Sequence, residues 1–96
     1  MNDLVEKLKV AQASTFAFYL KAHNYHWNVE GANFSDYHAF LNTLYDEVWL
    51  AVDAIAEHIR TLDAYAPGSF SRFQQMSVIE DELSVPKGLV MMARLA

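Results

Sequence analysis

Residues that interrupt helices are confined to a few points of this chain. The three glycines and two prolines stand at positions 31, 67, 68, 86 and 88. Between Gly31 and Pro67, apolar side chains recur at Tyr37, Phe40, Leu41, Leu44, Tyr45, Val48, Val52, Ile55, Ala56, Ile59 and Leu62. The steps are threes and fours almost throughout, which is the period of one buried face of an α-helix. The spacing predicts a helix from about Asp36 to Leu62.

The segment before Gly31 reads the same way. Leu4, Val5, Leu8, Ala11, Phe16, Tyr19, Leu20 and Trp27 fit a helical period better than alternation, so residues 3 to about 28 form a first long helix. Gly31 supplies the stop or turn, and Asn33 or Ser35 caps the second helix. So short a connection makes the two helices pack as an antiparallel hairpin.

Ala66-Pro67-Gly68-Ser69 is a turn. Ser77 and Glu80 have capping-box spacing, which predicts a short helix over Val78 to Leu83. Val85-Pro86 starts a new element. Leu89 to Ala96 reads as a helix opening with almost no polar face and no terminating glycine. That pattern is read as a truncation, with the expectation that part of the fold is missing or supplied by another chain. The expected fold class is all-α: one partial domain, 1–96, built as an antiparallel helical hairpin plus a short connecting helix. Its four-helix bundle is incomplete in one chain or completed by a two-fold partner.

Composition narrows the function. Apolar residues make up 53% of the 96, enough to expect a packed core rather than disorder. Cysteine is absent, so neither disulfides nor thiolate metal sites staple a domain of this size. Twelve acids against seven bases give a net charge of −5, which attracts cations and disfavours non-specific contact with DNA or anionic membranes. Met1-Asn2-Asp3-Leu4 does not open a signal peptide, and no run approaches the ~20 apolar residues of a membrane span. The default location is cytoplasmic.

Four residues carry candidate chemistry. His26 lies near the end of the first helix and His38 in the first turn of the second. Asp53 and Glu57, four apart, project from one face. Imidazole with carboxylate suits iron, zinc or manganese. His38 and Asp53 are 15 residues apart on one helix, roughly 22 Å of rise, so one chain cannot bring them to the same metal. They nevertheless lie on nearly the same side of that helix. A second copy, antiparallel about a two-fold axis, would bring His38 of one chain toward Asp53 and Glu57 of the other, with His26 joining His38 from the inter-helix turn. Such a dimer has two identical shared sites. The plainer reading is that Asp-x-x-x-Glu is a solvated helix face and His26 a hydrogen-bonded core histidine beside Trp27. His23 and His58 are read as surface or packing residues. Tyr45, Trp49, Met91 and Met92 are read as core or interface residues.

The run Lys21-Ala22-His23-Asn24-Tyr25-His26-Trp27-Asn28-Val29-Glu30-Gly31-Ala32-Asn33-Phe34 resembles the Dps family, the miniferritins named as DNA-binding proteins from starved cells. The likeness continues through Tyr37-His38, Leu44-Tyr45-Asp46-Glu47 and Asp53-Ala54-Ile55-Ala56-Glu57-His58-Ile59-Arg60, then more loosely through Ala66-Pro67-Gly68-Ser69 and beyond. It implies a ferritin-like four-helix bundle, at least a homodimer, and a dodecameric shell where the full family fold is present. It also implies ferroxidase sites between subunits. His26 and His38 would come from one subunit, Asp53 and Glu57 from its two-fold partner, and Trp27 would be the aromatic beside the site that passes an electron or intercepts radicals. The implied chemistry is oxidation of iron(II) by hydrogen peroxide or dioxygen for iron storage, detoxification and protection against oxidative stress. Zinc is a possible substitute at the site. Capture should weaken below about pH 6 as imidazoles protonate.

The chain departs from the family pattern in three places. Many members carry an acid one turn after the second histidine, where this chain has Asn42. Many DNA-binding members carry a lysine-rich tail, where this chain has only Lys7 and Lys9, within the first helix. Members also have two further long helices. The shortness of the chain and Asn42 favour a second reading, a self-associating structural module without turnover. A DNA-protecting protein acting by binding ranks third, and the acidic charge speaks against it.

Overall fold

The computed structural model describes residues 2–96. Its four α-helices are, in chain order, α1 (Asn2–Asn28), α2 (Phe34–Thr61), α3 (Phe70–Met76) and α4 (Gly88–Leu95). The described residues contain no strand. The two long helices pack side by side as the expected hairpin, in a molecule measuring 49 × 22 × 20 Å. Among the described residues, no helix is long and apolar enough to cross a membrane.

The turn between the long helices fixes their register. Val29 N still donates to Tyr25 O (2.8 Å), and Phe34 N donates to Gly31 O (3.2 Å). Gly31 sits at φ 105°, where any side chain would be strained. Asn33 takes the N-cap position of α2 but its side chain makes no capping bond, and Ser35 lies inside the helix. The first-turn N–H of Phe34 is met by the turn itself, through Gly31 O, and the helical ladder starts where Tyr37 N donates to Asn33 O (3.1 Å). At the far end, Asp63 adopts φ 61° and its N–H closes onto Arg60 O (3.1 Å), a left-handed stop.

The short helix stands elsewhere than the capping-box spacing places it. Residues 78–83 are not helical; α3 occupies Phe70–Met76, opened by Ser69, whose Oγ accepts from Arg72 N (3.3 Å). Ser77 ends that helix rather than starting one. Its Oγ accepts from Ile79 N (3.0 Å), two residues on, which is a turn. The N–H of Val78 goes to Ser14 Oγ on α1 (3.1 Å). With those donors engaged by a turn and by α1, the local spacing has no helix to cap. Phe73 of α3 rests on Phe16 of α1 at a ring separation of 4.7 Å.

The best-packed region lies at the turn end of the hairpin. Tyr25, Val29, Leu41 and Met91 are buried together, with Tyr37, Leu44, Met92 and Leu95 against them. Gly88 begins α4 where a Cβ would lie 2.7 Å from the Tyr37 ring. Gly88→Ala is therefore expected to cost about 1–3 kcal/mol in urea unfolding, the scale of overpacking a fixed contact.

One carboxylate joins three parts of the chain. Glu82 Oε1 accepts from the hydroxyl of buried Tyr25 (2.6 Å) and from Arg94 Nη1 on α4 (2.5 Å). Glu82 Oε2 accepts from Ser84 Oγ (2.9 Å). These donors, Tyr25 first and Arg94 second, hold the Glu82 carboxyl down at about 2. Burial first, and Glu82 second, push the Tyr25 phenol up to about 12. Because the folded carboxyl is depressed, its stabilisation is present above its ordinary range near 4.5 and is lost as pH falls toward about 2. Tyr25 has the opposite sign: its contribution is present below about 10 and is lost as pH rises through about 12. Glu82→Gln should lower the Tm near neutrality by about 4–8 °C, the scale of one such bond in a chain this size. The gap to the parent should close as pH falls toward about 2, as thermal unfolding across that range would record.

Candidate metal centre

The hairpin brings the ends of α1 and α2 together, and with them His26 and His38. Their rings stack at a centroid separation of 3.7 Å. Each imidazole is tied to the other residue's backbone: His26 Nδ1 to His38 O (2.9 Å) and His38 Nδ1 to His26 O (2.9 Å). A carbonyl oxygen only accepts, so both Nδ1 atoms carry the proton. In the neutral rings, Nε2 then carries the lone pair a metal needs. A ligand imidazole held at its other nitrogen by a carbonyl is the usual way a metal site fixes ring orientation. Phe34 stacks on the His38 ring at 4.9 Å.

Asp53 and Glu57 lie elsewhere. Both are exposed on α2, further along the helix, and no described contact joins either to the histidines. Among the described residues, no group of three or more histidines and acids within the single chain is arranged to hold a metal. One chain thus assembles the nitrogen half of the candidate set and leaves the oxygen half exposed on α2. The same helix also exposes Phe40, Trp49 and Leu50 at 51–70%.

Trp27 is 59% exposed and rests on His23, with ring centroids 4.0 Å apart. It meets the histidine pair through that residue. His23, read from sequence as a surface or packing residue, is the middle of an aromatic cluster. It stacks flat on Tyr45 (3.8 Å, 10°) and its Nδ1 is 2.9 Å from the Tyr19 hydroxyl. Burial first and His26 second push its imidazole pKa below the ordinary range, with Asp46 pulling the other way. Tyr45 also meets His26 edge-on at 5.1 Å, and its hydroxyl donates to Asn42 Oδ1 (3.0 Å). The signal in the sequence was the three-residue step from His23 to His26, which sets both on neighbouring parts of one helix face. Their convergence with Tyr45 depends on α2.

Comparison with known proteins agrees with this architecture. The ferritin-like domain family matches residues 5–95. Antigen TpF1 of Treponema pallidum is 37% identical over 82% of this chain and 45% of its own length. The DNA protection during starvation protein of Helicobacter pylori is 30% identical over 80% of this chain and 54% of its own. The chain thus spans about half the length of the curated relatives it matches. Among solved structures, a Dps protein from Vibrio cholerae O1, described as a member of a broad superfamily of ferritin-like diiron-carboxylate proteins, superimposes with a TM-score of 0.93. It is 31% identical over 98% of this chain and 59% of that one. The chain belongs to the ferritin-like family, and its relatives and structural neighbours there are Dps proteins.

Proposed function

We propose that this chain binds and oxidises iron(II) in the manner of a Dps ferroxidase, at sites shared between two copies related by a two-fold axis. The observation that carries the reading is the His26–His38 pair, each ring fixed through Nδ1 with Nε2 left for a metal. Asp53 and Glu57 of a second chain complete the set. The exposed apolar residues of α2 supply the surface on which that chain packs. Imidazoles capture iron(II), and the carboxylates favour the ferric product by charge. Hydrogen peroxide takes one electron from each of two iron(II) ions and, with two protons, leaves as water. Trp27, joined to the pair through His23, stands where a stray one-electron oxidant would meet an aromatic ring before reaching solvent. Because the capturing nitrogens must be unprotonated, affinity falls as pH falls.

The test is anaerobic iron(II) titration followed by peroxide, with His26→Ala and Asp53→Ala as controls. Saturable uptake of about one or two irons per chain, with fast oxidation lost in both variants, is the expected result. Absence of saturable uptake by the parent chain would favour the second reading, a self-associating hairpin without turnover. The exposed Phe40, Trp49 and Leu50 are the observation behind that reading.

A further inference from the structure

We propose that Tyr45 is an oxygen ligand for the iron(III) formed at the His26–His38 pair. This inference rests on the ferroxidase reading for the source of the ferric ion. Helix geometry orients the phenol. Asn42 stands one turn beyond His38 on α2, and Tyr45 nearly one turn beyond Asn42. Helical side chains lean toward the N-terminus, which carries the Tyr45 phenol back along the helix toward the turn that bears His38. The observed bond agrees: the hydroxyl reaches Asn42 Oδ1 at 3.0 Å.

The ring is held by two neighbours. His23 lies flat against it at 3.8 Å, and the His26 ring meets it edge-on at 5.1 Å. A phenol clamped beside His26, with its hydroxyl at Asn42 one turn beyond His38, is already oriented. Its described hydrogen-bond partner is a neutral amide on an exposed residue, which can turn to solvent when the phenol is drawn away. Iron(III) is a hard cation that favours anionic oxygen over a neutral amide. On binding, the Fe–O bond forms as the phenol O–H breaks. The proton passes to water, no electron moves, and the iron stays ferric. Neither half of the histidine-carboxylate set supplies a phenolate, so Tyr45 would add a ligand that grips product rather than iron(II).

The experiment loads the whole chain anaerobically with iron(II), adds stoichiometric peroxide, and records visible absorption and resonance Raman spectra. The expected result is a broad visible phenolate-to-iron(III) band with enhanced tyrosine ring modes. Tyr45→Phe should abolish it while leaving the iron(II) binding isotherm within about twofold of the parent, and Tyr19→Phe should retain it. A parent chain that binds and oxidises iron without the band overturns the proposal, as does a band that survives Tyr45→Phe. A second arm supplies iron(III) as a weak nitrilotriacetate chelate. A chain that takes up no iron(II) yet gives the Tyr45-dependent band with ferric chelate overturns the ferroxidase reading and keeps this one. No band in either arm overturns this one. The parent spectrum alone decides against the proposal when no tyrosine modes are enhanced, even should Tyr45→Phe fail to fold.

Discussion

Chains carrying His26→Ala and chains carrying Asp53→Ala, each inactive alone, should recover about a quarter of the parent oxidation rate when refolded together in equal amounts. His26 and His38 meet in one chain, whereas Asp53 lies roughly 22 Å along α2 from His38. A site that uses both kinds of residue must draw them from two chains. In a mixed two-fold dimer, one site receives both damaged residues and the other receives neither. Random pairing makes about half of the dimers mixed, and each has one intact site of two, which gives the quarter. A site contained within one chain would give no recovery, since every chain in the mixture is damaged. The measurement is the initial rate of peroxide-driven iron(II) oxidation, with sedimentation showing that both variants still associate. Full dimers with no recovered rate would refute the sharing of the site while leaving the fold intact.

Legibility in the sequence differs from element to element. α1 and α2 were legible because their information is local and repeated: uninterrupted helical spacing bounded by Gly31 and by Pro67. α3 was not, because Phe70, Phe73 and Met76 offer barely two turns of pattern. The Ser77–Glu80 spacing nearby imitates a cap, but the N–H groups of Ile79 and Val78 in fact go to the Ser77 and Ser14 hydroxyls. A short motif yields to tertiary contacts that no local rule contains.

The candidate centre divides in the same way. Residue type and spacing singled out His26 and His38, since imidazoles at the two ends of a short hairpin turn must lie close. Their reciprocal bonds to each other's carbonyls depend on hairpin register, which the backbone around Gly31 sets. His23 and Tyr45 lie on different helices, and nothing in either helix alone announces that their rings will stack. Asp53 and Glu57 are the reverse case. Sequence spacing alone excludes them from a single-chain site with His38, and the structure leaves them exposed on α2.

Leu41→Ala tests whether the core and the candidate centre are one mechanical unit. Leu41 is fully buried among Tyr25, Val29 and Met91. Tyr25 immediately precedes His26, and Leu41 lies three residues after His38, nearly one turn on. Truncating it removes the apolar contact between the two helices at the level where the imidazoles stack. The expected loss is about 2–5 kcal/mol in urea unfolding, from lost transfer free energy plus the cavity left behind. That is a large share of the stability usual for a single domain. If the same packing holds the histidines in register, the loss carries over to the metal. Iron(II) affinity of the still folded protein, without denaturant, should fall by about 10-fold or more, the scale seen when support behind a ligand imidazole is removed. Ile59→Ala is the matched control: also fully buried, it lies near the other end of α2. It should lower stability comparably while leaving iron(II) affinity near the parent value. Equal affinity losses in both variants would mean that metal binding tracks global stability. Loss in Leu41→Ala alone would mean that the packing at the turn end positions His26 and His38.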